Sequence, residues 1–96
     1  MNRTSIISLL RESKPFLQDR FGVTSLTLFG SMARDVANEN SDVDVMVTFD
    51  GPATSARYFG VLFFLEDRLG RRVDLVTEKA LREELRTSIA RDAVHV

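Results

Sequence analysis

Our prediction of the fold rests on two stretches of sequence, SLTLFGS at residues 25–31 and SDVDVMV at residues 41–47. The first is a strand-like run that ends in Gly30-Ser31, and the second carries Asp42 and Asp44. Because side chains alternate across a strand, residues 42 and 44 are expected to point to the same face. Two carboxylates aimed at one spot repel each other unless a cation lies between them. Mg²⁺ prefers such oxygen ligands and completes its shell with water and substrate phosphates, so the two stretches predict a site for a metal-bound nucleotide.

A third carboxylate lies in the next strand-like run, residues 73–76, where Asp74 is the only polar residue. If the strands that carry Asp44 and Asp74 are neighbours, Asp74 lies beside Asp42 and Asp44. Three clustered carboxylates suit two Mg²⁺ ions, which can activate an attacking oxygen and stabilise a leaving pyrophosphate. Asp74 is then predicted to be the general base or a ligand of the metal that activates the nucleophile. The other interpretation of Asp42 and Asp44, a surface strand with two exposed carboxylates, remains open at this point.

The phosphates of the nucleotide are expected to bind near Gly30 and Ser31, where a strand ends and a short helix begins. Gly30 allows the backbone to approach a ligand closely, and the Ser31 hydroxyl can donate a hydrogen bond to a phosphate oxygen. Arg34, one helical turn further on, can bind a phosphate with two parallel hydrogen bonds. Each also has a simpler interpretation: Gly30-Ser31 as a plain turn, and Arg34 as a solvent-facing side chain. Ser41 either caps a turn or contacts phosphate.

Apolar spacing and end signals predict alternating helices and strands. We expect helices at residues 4–13, 15–20, 31–36, 55–69 and 78–90, and strands at residues 24–29, 43–49 and 73–76, with residues 93–96 as a short edge strand or a frayed end. Thr4 or Ser5 is predicted to cap the first helix, and Pro15 to begin a second one. Gly22 and Gly70 are expected to end helices. The alternation predicts an α/β domain, with a small mixed sheet of three to four strands and helices packed on it.

Length and composition limit the class of protein. Ninety-six residues form one domain, residues 1–96, with 44% hydrophobic and 28% charged residues, as in ordinary globular folds. A net charge of −1 argues against stable nucleic-acid binding, which usually needs a basic excess. Without cysteine there are no disulfides or thiolate metal sites. We see no signal peptide, and the longest apolar run, residues 61–65, is too short to cross a bilayer, so a cytoplasmic protein without membrane contact is expected.

Taken together, these motifs resemble the DNA polymerase β-like nucleotidyltransferases, and within them the minimal, MNT-type proteins. The likeness covers nearly the whole chain and rests on LFGSMAR at residues 28–34, SDVDV at residues 41–45 and RVDLVT at residues 72–77. It implies the nucleotidyltransferase fold, ATP as the substrate and Mg²⁺ as the cofactor. One departure is Asp35, where relatives usually carry Gly.

The resemblance also implies a partner. Many small members of this family are antitoxins of HEPN-domain toxins, and they transfer AMP from ATP onto a tyrosine of the toxin. Two other functions stay open: a binding module that neutralises its partner by occlusion, and an enzyme that modifies a small hydroxylated molecule. The last is disfavoured because such enzymes normally carry an additional helical domain. A homo-oligomer is compatible with the sequence.

Overall fold

The computed structural model describes residues 2–34, 41–80 and 92–96. Along the chain its elements are helix α1 (Arg3–Phe21), strand β1 (Val23–Phe29), helix α2 (Gly30–Ala33), strand β2 (Val43–Phe49), helix α3 (Ser55–Leu69), strand β3 (Val73–Thr77), a 3₁₀ helix (Glu78–Ala80) and strand β4 (Val94–His95). The predicted α/β alternation is therefore observed. No helix in the described part of the chain is long and apolar enough to cross a membrane.

The four strands form one mixed sheet in the order β3-β2-β1-β4. Strand β1 is antiparallel to both β2 and β4, whereas β2 and β3 are parallel. A parallel pair needs a crossover connection, and α3 supplies it between β2 and β3. The parallel register pairs Asp44 with Asp74 and Val45 with Leu75, so the two aspartates lie on the same face of the sheet. This confirms the predicted mixed sheet and makes the strands of Asp44 and Asp74 neighbours.

One face of the sheet packs against α1 and α3 and forms the core. Strands β2 and β3 bury alternate residues on this face because successive side chains point to opposite sides. The core side chains include Leu10 and Leu17 of α1, Val61 and Leu65 of α3, and Leu26, Leu28, Val43, Val45, Val47 and Leu75 of the sheet. The opposite face carries the residues that lie between the buried ones along the strands, among them Asp44 and Asp74.

Two side chains of α3 tie β3 to the helix layer. The Tyr58 hydroxyl donates a hydrogen bond to the backbone oxygen of Leu75 at 2.5 Å, and the Glu66 carboxylate accepts one from the Val73 N–H at 3.1 Å. Burial, and secondarily the charge of Asp74, raise the pKa of Tyr58, so this hydroxyl keeps its proton and remains a donor. These contacts hold the short strand that presents Asp74.

The beginning of the chain differs from the prediction. Instead of two helices divided at Pro15, α1 is one helix of 19 residues with Pro15 inside it. Proline removes one hydrogen bond to residue 11, but both residues are exposed, and the apolar stripe on the other side of α1 remains packed. The N-terminal cap of α1 also differs from the prediction of Thr4 or Ser5. The cap is Asn2, whose side chain accepts a hydrogen bond from the Ser5 N–H.

The predicted helix ends at Gly22 and Gly70 agree with the structure. Gly22 and Gly70 end α1 and α3 in the left-handed conformation, and Thr54 caps α3. The short helix predicted at residues 31–36 is observed as Gly30–Ala33, and the tail forms the edge strand β4. Residues 81–90 of the last predicted helix, as well as Asp35, lie outside the described residues.

Candidate active site

Asp44 and Asp74 form an acidic pair on the face of the sheet opposite the core. Their positions are aligned across the parallel strands β2 and β3, and Asp74 is near enough for its charge to act on Asp44. Asp44 is half-buried and Asp74 is exposed. Two ionised carboxylates in neighbouring positions repel each other unless a cation lies between them.

The electrostatics of Asp44 reflect this crowding. Burial is the largest cause that raises the pKa of Asp44 from 3.8 to about 6, followed by the charge of Asp74, the hydrogen bond with Asp74, and the charge of Asp42. Arg34 acts in the opposite direction and lowers the pKa. The negative charge at this point of the sheet is therefore poorly compensated by the protein itself, which is the condition under which a carboxylate site attracts a cation.

Gly30 is required here for two independent reasons. Its φ is +73°, a left-handed conformation that side-chain-bearing residues rarely adopt. In addition, a Cβ at this position would overlap the Asp44 carboxylate. The antiparallel register that pairs Phe29 with Asp44 brings the backbone of Gly30 against this carboxylate. The turn after β1 and the acidic pair are thus parts of one structure.

An open cleft of about 390 Å³ lies over this junction. Its lining consists of Phe29, Gly30, Ser31, Arg34, Asp44, Asp74 and Val76. Such a volume and an acidic floor beside a basic side chain suit a small charged ligand. A smaller cavity of about 130 Å³ lies at the other ends of β2 and β3, bordered by Thr48, Thr77 and Lys79 among others. We place the candidate site at the larger cleft because the carboxylates and the phosphate-binding candidates converge there.

Helix α2 positions the residues on the other side of the cleft. It contains only four residues, so its dipole is small. The main polar groups at this side are the hydroxyl of Ser31 and the guanidinium of Arg34, the residue that follows the helix. A residue of α1 contacts the end of α2: Arg3 Nε donates a hydrogen bond to the backbone oxygen of Ala33 at 3.0 Å. Arg34 then follows with its own N–H bonded to the Gly30 oxygen at 3.2 Å.

Asp42 and Ser41 lie outside this lining. Both precede β2, and Asp42 is exposed, although it is near enough for its charge to act on Asp44. The backbone oxygen of Ser41 accepts a hydrogen bond from Arg71 Nη2 at 2.8 Å. In the ranges 2–34, 41–80 and 92–96, no group of three or more metal-ligating side chains is present. The structure thus brings together two of the three predicted carboxylates, with the third at the margin.

Three residues near the site were not predicted from the sequence. Phe29 and Val76 form apolar parts of the cleft lining; Val76 could have been found, because it lies two residues after Asp74 and therefore on the same strand face. Asp92 forms an ion pair with Arg34, with 3.7 Å between Arg34 Nη1 and Asp92 Oδ2. No sequence signal indicates this pair, since Asp92 comes from the far end of the chain.

The acidic pair has the donor chemistry that a divalent cation requires. Mg²⁺ is held in proteins by one or two carboxylates, with the rest of its shell supplied by water and substrate phosphates. Asp44 and Asp74 meet that need, and the open cleft leaves space for the phosphates. The residues present therefore fit the cofactor expected from the sequence.

Comparison with known proteins gives a consistent result. A family model described as nucleotidyltransferase domain matches residues 10–95. Protein adenylyltransferase MntA of Thermococcus cleftensis is 37% identical over 91 residues, which cover 95% of this chain and 92% of that protein. A solved structure provisionally described as a minimal nucleotidyltransferase is 35% identical, with a TM-score of 0.80, and the match covers 98% of this chain and 95% of the other.

A more distant structure shares the fold. It is a complex of a tri-AMPylated HEPN toxin of Shewanella oneidensis with an MNT antitoxin, and the matching chain is 22% identical with a TM-score of 0.59. The match covers 98% of this chain and 67% of that chain. At this identity the likeness concerns the fold alone.

Proposed function

Because the chain belongs to the nucleotidyltransferase domain family, we propose that it transfers AMP from ATP to a tyrosine hydroxyl of a HEPN-type toxin, with Mg²⁺ as cofactor, and so acts as an antitoxin. The observation that carries the proposal is the acidic pair, Asp44 and Asp74, in the lining of an open cleft where Asp44 packs against the backbone of Gly30. Metal-binding carboxylates and a phosphate-binding turn are the two parts that a nucleotidyl transfer needs.

The relatives support the choice of acceptor and partner. The Thermococcus protein is named a protein adenylyltransferase, and its likeness extends over nearly the whole of both chains. The Shewanella complex pairs the same fold with a HEPN toxin that carries AMP.

The residues have distinct roles in the proposed reaction. Asp44 and Asp74, assisted by the charge of Asp42, would hold Mg²⁺, which neutralises the triphosphate and polarises the reacting phosphate. Gly30 and Ser31 would bind the outer phosphates through the backbone and the Ser31 hydroxyl, and Arg34 would add a charged contact at the rim. Much of the rate acceleration would come from positioning and from compensation of charge.

The transfer itself is an in-line displacement at the α-phosphate. The acceptor hydroxyl oxygen forms a bond to the α-phosphorus while the bond to the bridging oxygen of the β-phosphate breaks, and pyrophosphate leaves. The proton of the hydroxyl would pass to Asp74, which is exposed and lines the cleft. Asp74 is therefore the residue to which we assign the role of general base.

Intact-mass spectrometry tests the proposal directly. The tagged protein is purified together with its partner from the native host and is incubated with Mg²⁺ and ATP. We expect the partner to gain one or more AMP masses with the wild-type protein and none with Asp44→Asn. Asp50→Asn is the matched control, because Asp50 pairs with Arg57 at 2.9 Å outside the cleft. A partner that co-purifies unmodified would favour neutralisation by occlusion, and the absence of any partner would favour a small-molecule acceptor.

A further inference from the structure

The C-terminal residues 92–96 are anchored beside the cleft by backbone contacts. Strand β4 pairs with β1, aligning His95 with Thr27 and Val94 with Leu28. The Val96 N–H donates a hydrogen bond to the Leu26 oxygen at 3.0 Å. Lys14 Nζ of α1 donates another to the Val96 oxygen at 2.8 Å. The chain just before β4, which carries Asp92, therefore has a defined place next to the end of β1 and the beginning of α2.

Asp92 uses this place to contact Arg34. Its side chain is 20% exposed and that of Arg34 is 44% exposed, and the two charges are 3.7 Å apart. At this distance the pair is an ion pair without a hydrogen bond, so the contact with Asp92 does not occupy an N–H donor of the guanidinium. Arg34 also lines the cleft, whereas Asp92 does not. Arg34 therefore contacts an anchored carboxylate that is not part of the lining and also borders the ligand space.

The acidic pair makes such an anchor useful. Asp44 and Asp74 attract Arg34 from within the cleft, and a guanidinium that moved onto them would occupy the space of a cation and its phosphates. Asp92 supplies the opposing attraction from outside the cleft. The arginine side chain also has many rotamers, and a partly exposed one loses much of this freedom when it binds a phosphate. A second carboxylate that holds the side chain at the rim reduces that loss before the ligand arrives.

We propose that Asp92 is a positioning residue that holds the Arg34 guanidinium at the rim of the cleft, ready to bind a phosphate of the nucleotide. This inference rests on the proposed function, because it takes the triphosphate of ATP as the ligand of the cleft. Asp92 acts through Arg34 alone and does not touch the nucleotide.

A double-mutant cycle on the full chain tests this assignment. The dissociation constant of Mg²⁺-ATP is measured by calorimetry for wild type, Asp92→Asn, Arg34→Ala and the double variant. We expect Asp92→Asn to weaken binding about threefold to tenfold, the cost of ordering one flexible side chain, and to have no further effect when Arg34 is absent. Asp92→Glu should retain binding close to wild type because it restores the charge. Asp50→Asn, a matched change at an ion pair outside the cleft, should leave the affinity unchanged.

Other outcomes would overturn the assignment. Tighter binding by Asp92→Asn would show that Asp92 competes with the phosphate for Arg34, and unchanged binding would show no role. An equal loss in the Arg34→Ala background, accompanied by a lower unfolding midpoint, would show a purely structural role for Asp92. A wild-type protein that does not bind Mg²⁺-ATP at all would instead refute the proposed function, so the two failures are distinguishable.

Discussion

Neutralising Asp44 should stabilise the protein in the absence of metal, contrary to the usual effect of changing a half-buried side chain. Burial and the neighbouring Asp74 raise the pKa of Asp44 from 3.8 to about 6. Each tenfold change in acidity is worth about 1.4 kcal/mol, so the ionised carboxylate destabilises the native state by about 3 kcal/mol. Because Asp44 is only half-buried, solvent screening reduces this to about 1–2 kcal/mol. Asp44→Asn removes the charge and should raise the free energy of unfolding by that amount at pH 7.5.

The pH dependence follows from the same shift. The native state binds the Asp44 proton more tightly than the unfolded state does, so the destabilisation is fully present above pH 6 and is relieved as the pH falls from about 6 to 3.8. The advantage of Asp44→Asn over wild type should therefore be large at pH 7.5 and small at pH 4. Other carboxylates titrate in this range as well, and the difference between the two proteins isolates Asp44.

Urea unfolding without Mg²⁺, followed by circular dichroism at pH 7.5 and pH 4, measures this difference. Asp50→Asn serves as the control, because Asp50 is paired with Arg57 and its neutralisation should bring no gain in stability. The reasoning is refuted if Asp44→Asn is less stable than wild type at pH 7.5, or if its advantage is the same at both pH values. Either result would mean that burial and the neighbouring Asp74 do not raise the pKa of Asp44 in the metal-free protein.

Three further predictions concern the cleft and its support. Gly30→Ala should lower the free energy of unfolding by more than the roughly 1–2 kcal/mol of left-handed strain, because the added Cβ overlaps Asp44. Gly70→Ala is the control, since Gly70 has φ +63° and nothing within 4 Å of an added Cβ, and it should show only the strain. Equal losses of stability for the two variants in urea titrations would contradict the contact between residue 30 and Asp44. Mg²⁺-ATP at about a hundred times its dissociation constant should stabilise wild type by about 2.7 kcal/mol, and both EDTA and Asp44→Asn should abolish the rise in melting temperature. Tyr58→Phe should cost about 1 kcal/mol in urea unfolding through loss of the hydrogen bond to Leu75, and an unchanged midpoint would show that this bond does not support β3.

Much of the fold was predictable because its signals are local. Gly22 and Gly70 mark helix ends through a left-handed conformation that glycine adopts readily, and Thr54 caps α3 through a bond within one helical turn. The strands stood out as apolar runs. The prediction of two helices divided at Pro15 was wrong for a physical reason. The local cost of proline inside a helix is outweighed by the packing of the apolar stripe along α1, and the local sequence around Pro15 does not reveal that packing.

The site was predictable in part. Gly30, Ser31, Asp44 and Asp74 were all proposed from their positions in strand-like runs, and the structure brings them to one cleft. Asp42 was expected on the same strand face as Asp44, whereas it lies before β2 and outside the lining. Alternation applies only within a strand, and the residue at which β2 begins depends on its pairing with β3.

The helix and strand types, the mixed α/β class and the residue types of the candidate site could be predicted from the sequence alone, because they depend on periodicity, end signals and the chemistry of single side chains. The structure was needed to show that Asp44 and Asp74 are aligned across parallel strands, that Gly30 packs against Asp44, and that Asp92 reaches Arg34. Each of these is a contact between segments far apart in the chain. Such contacts follow from the order and register of the strands, which are set by the burial of the whole core rather than by any one segment.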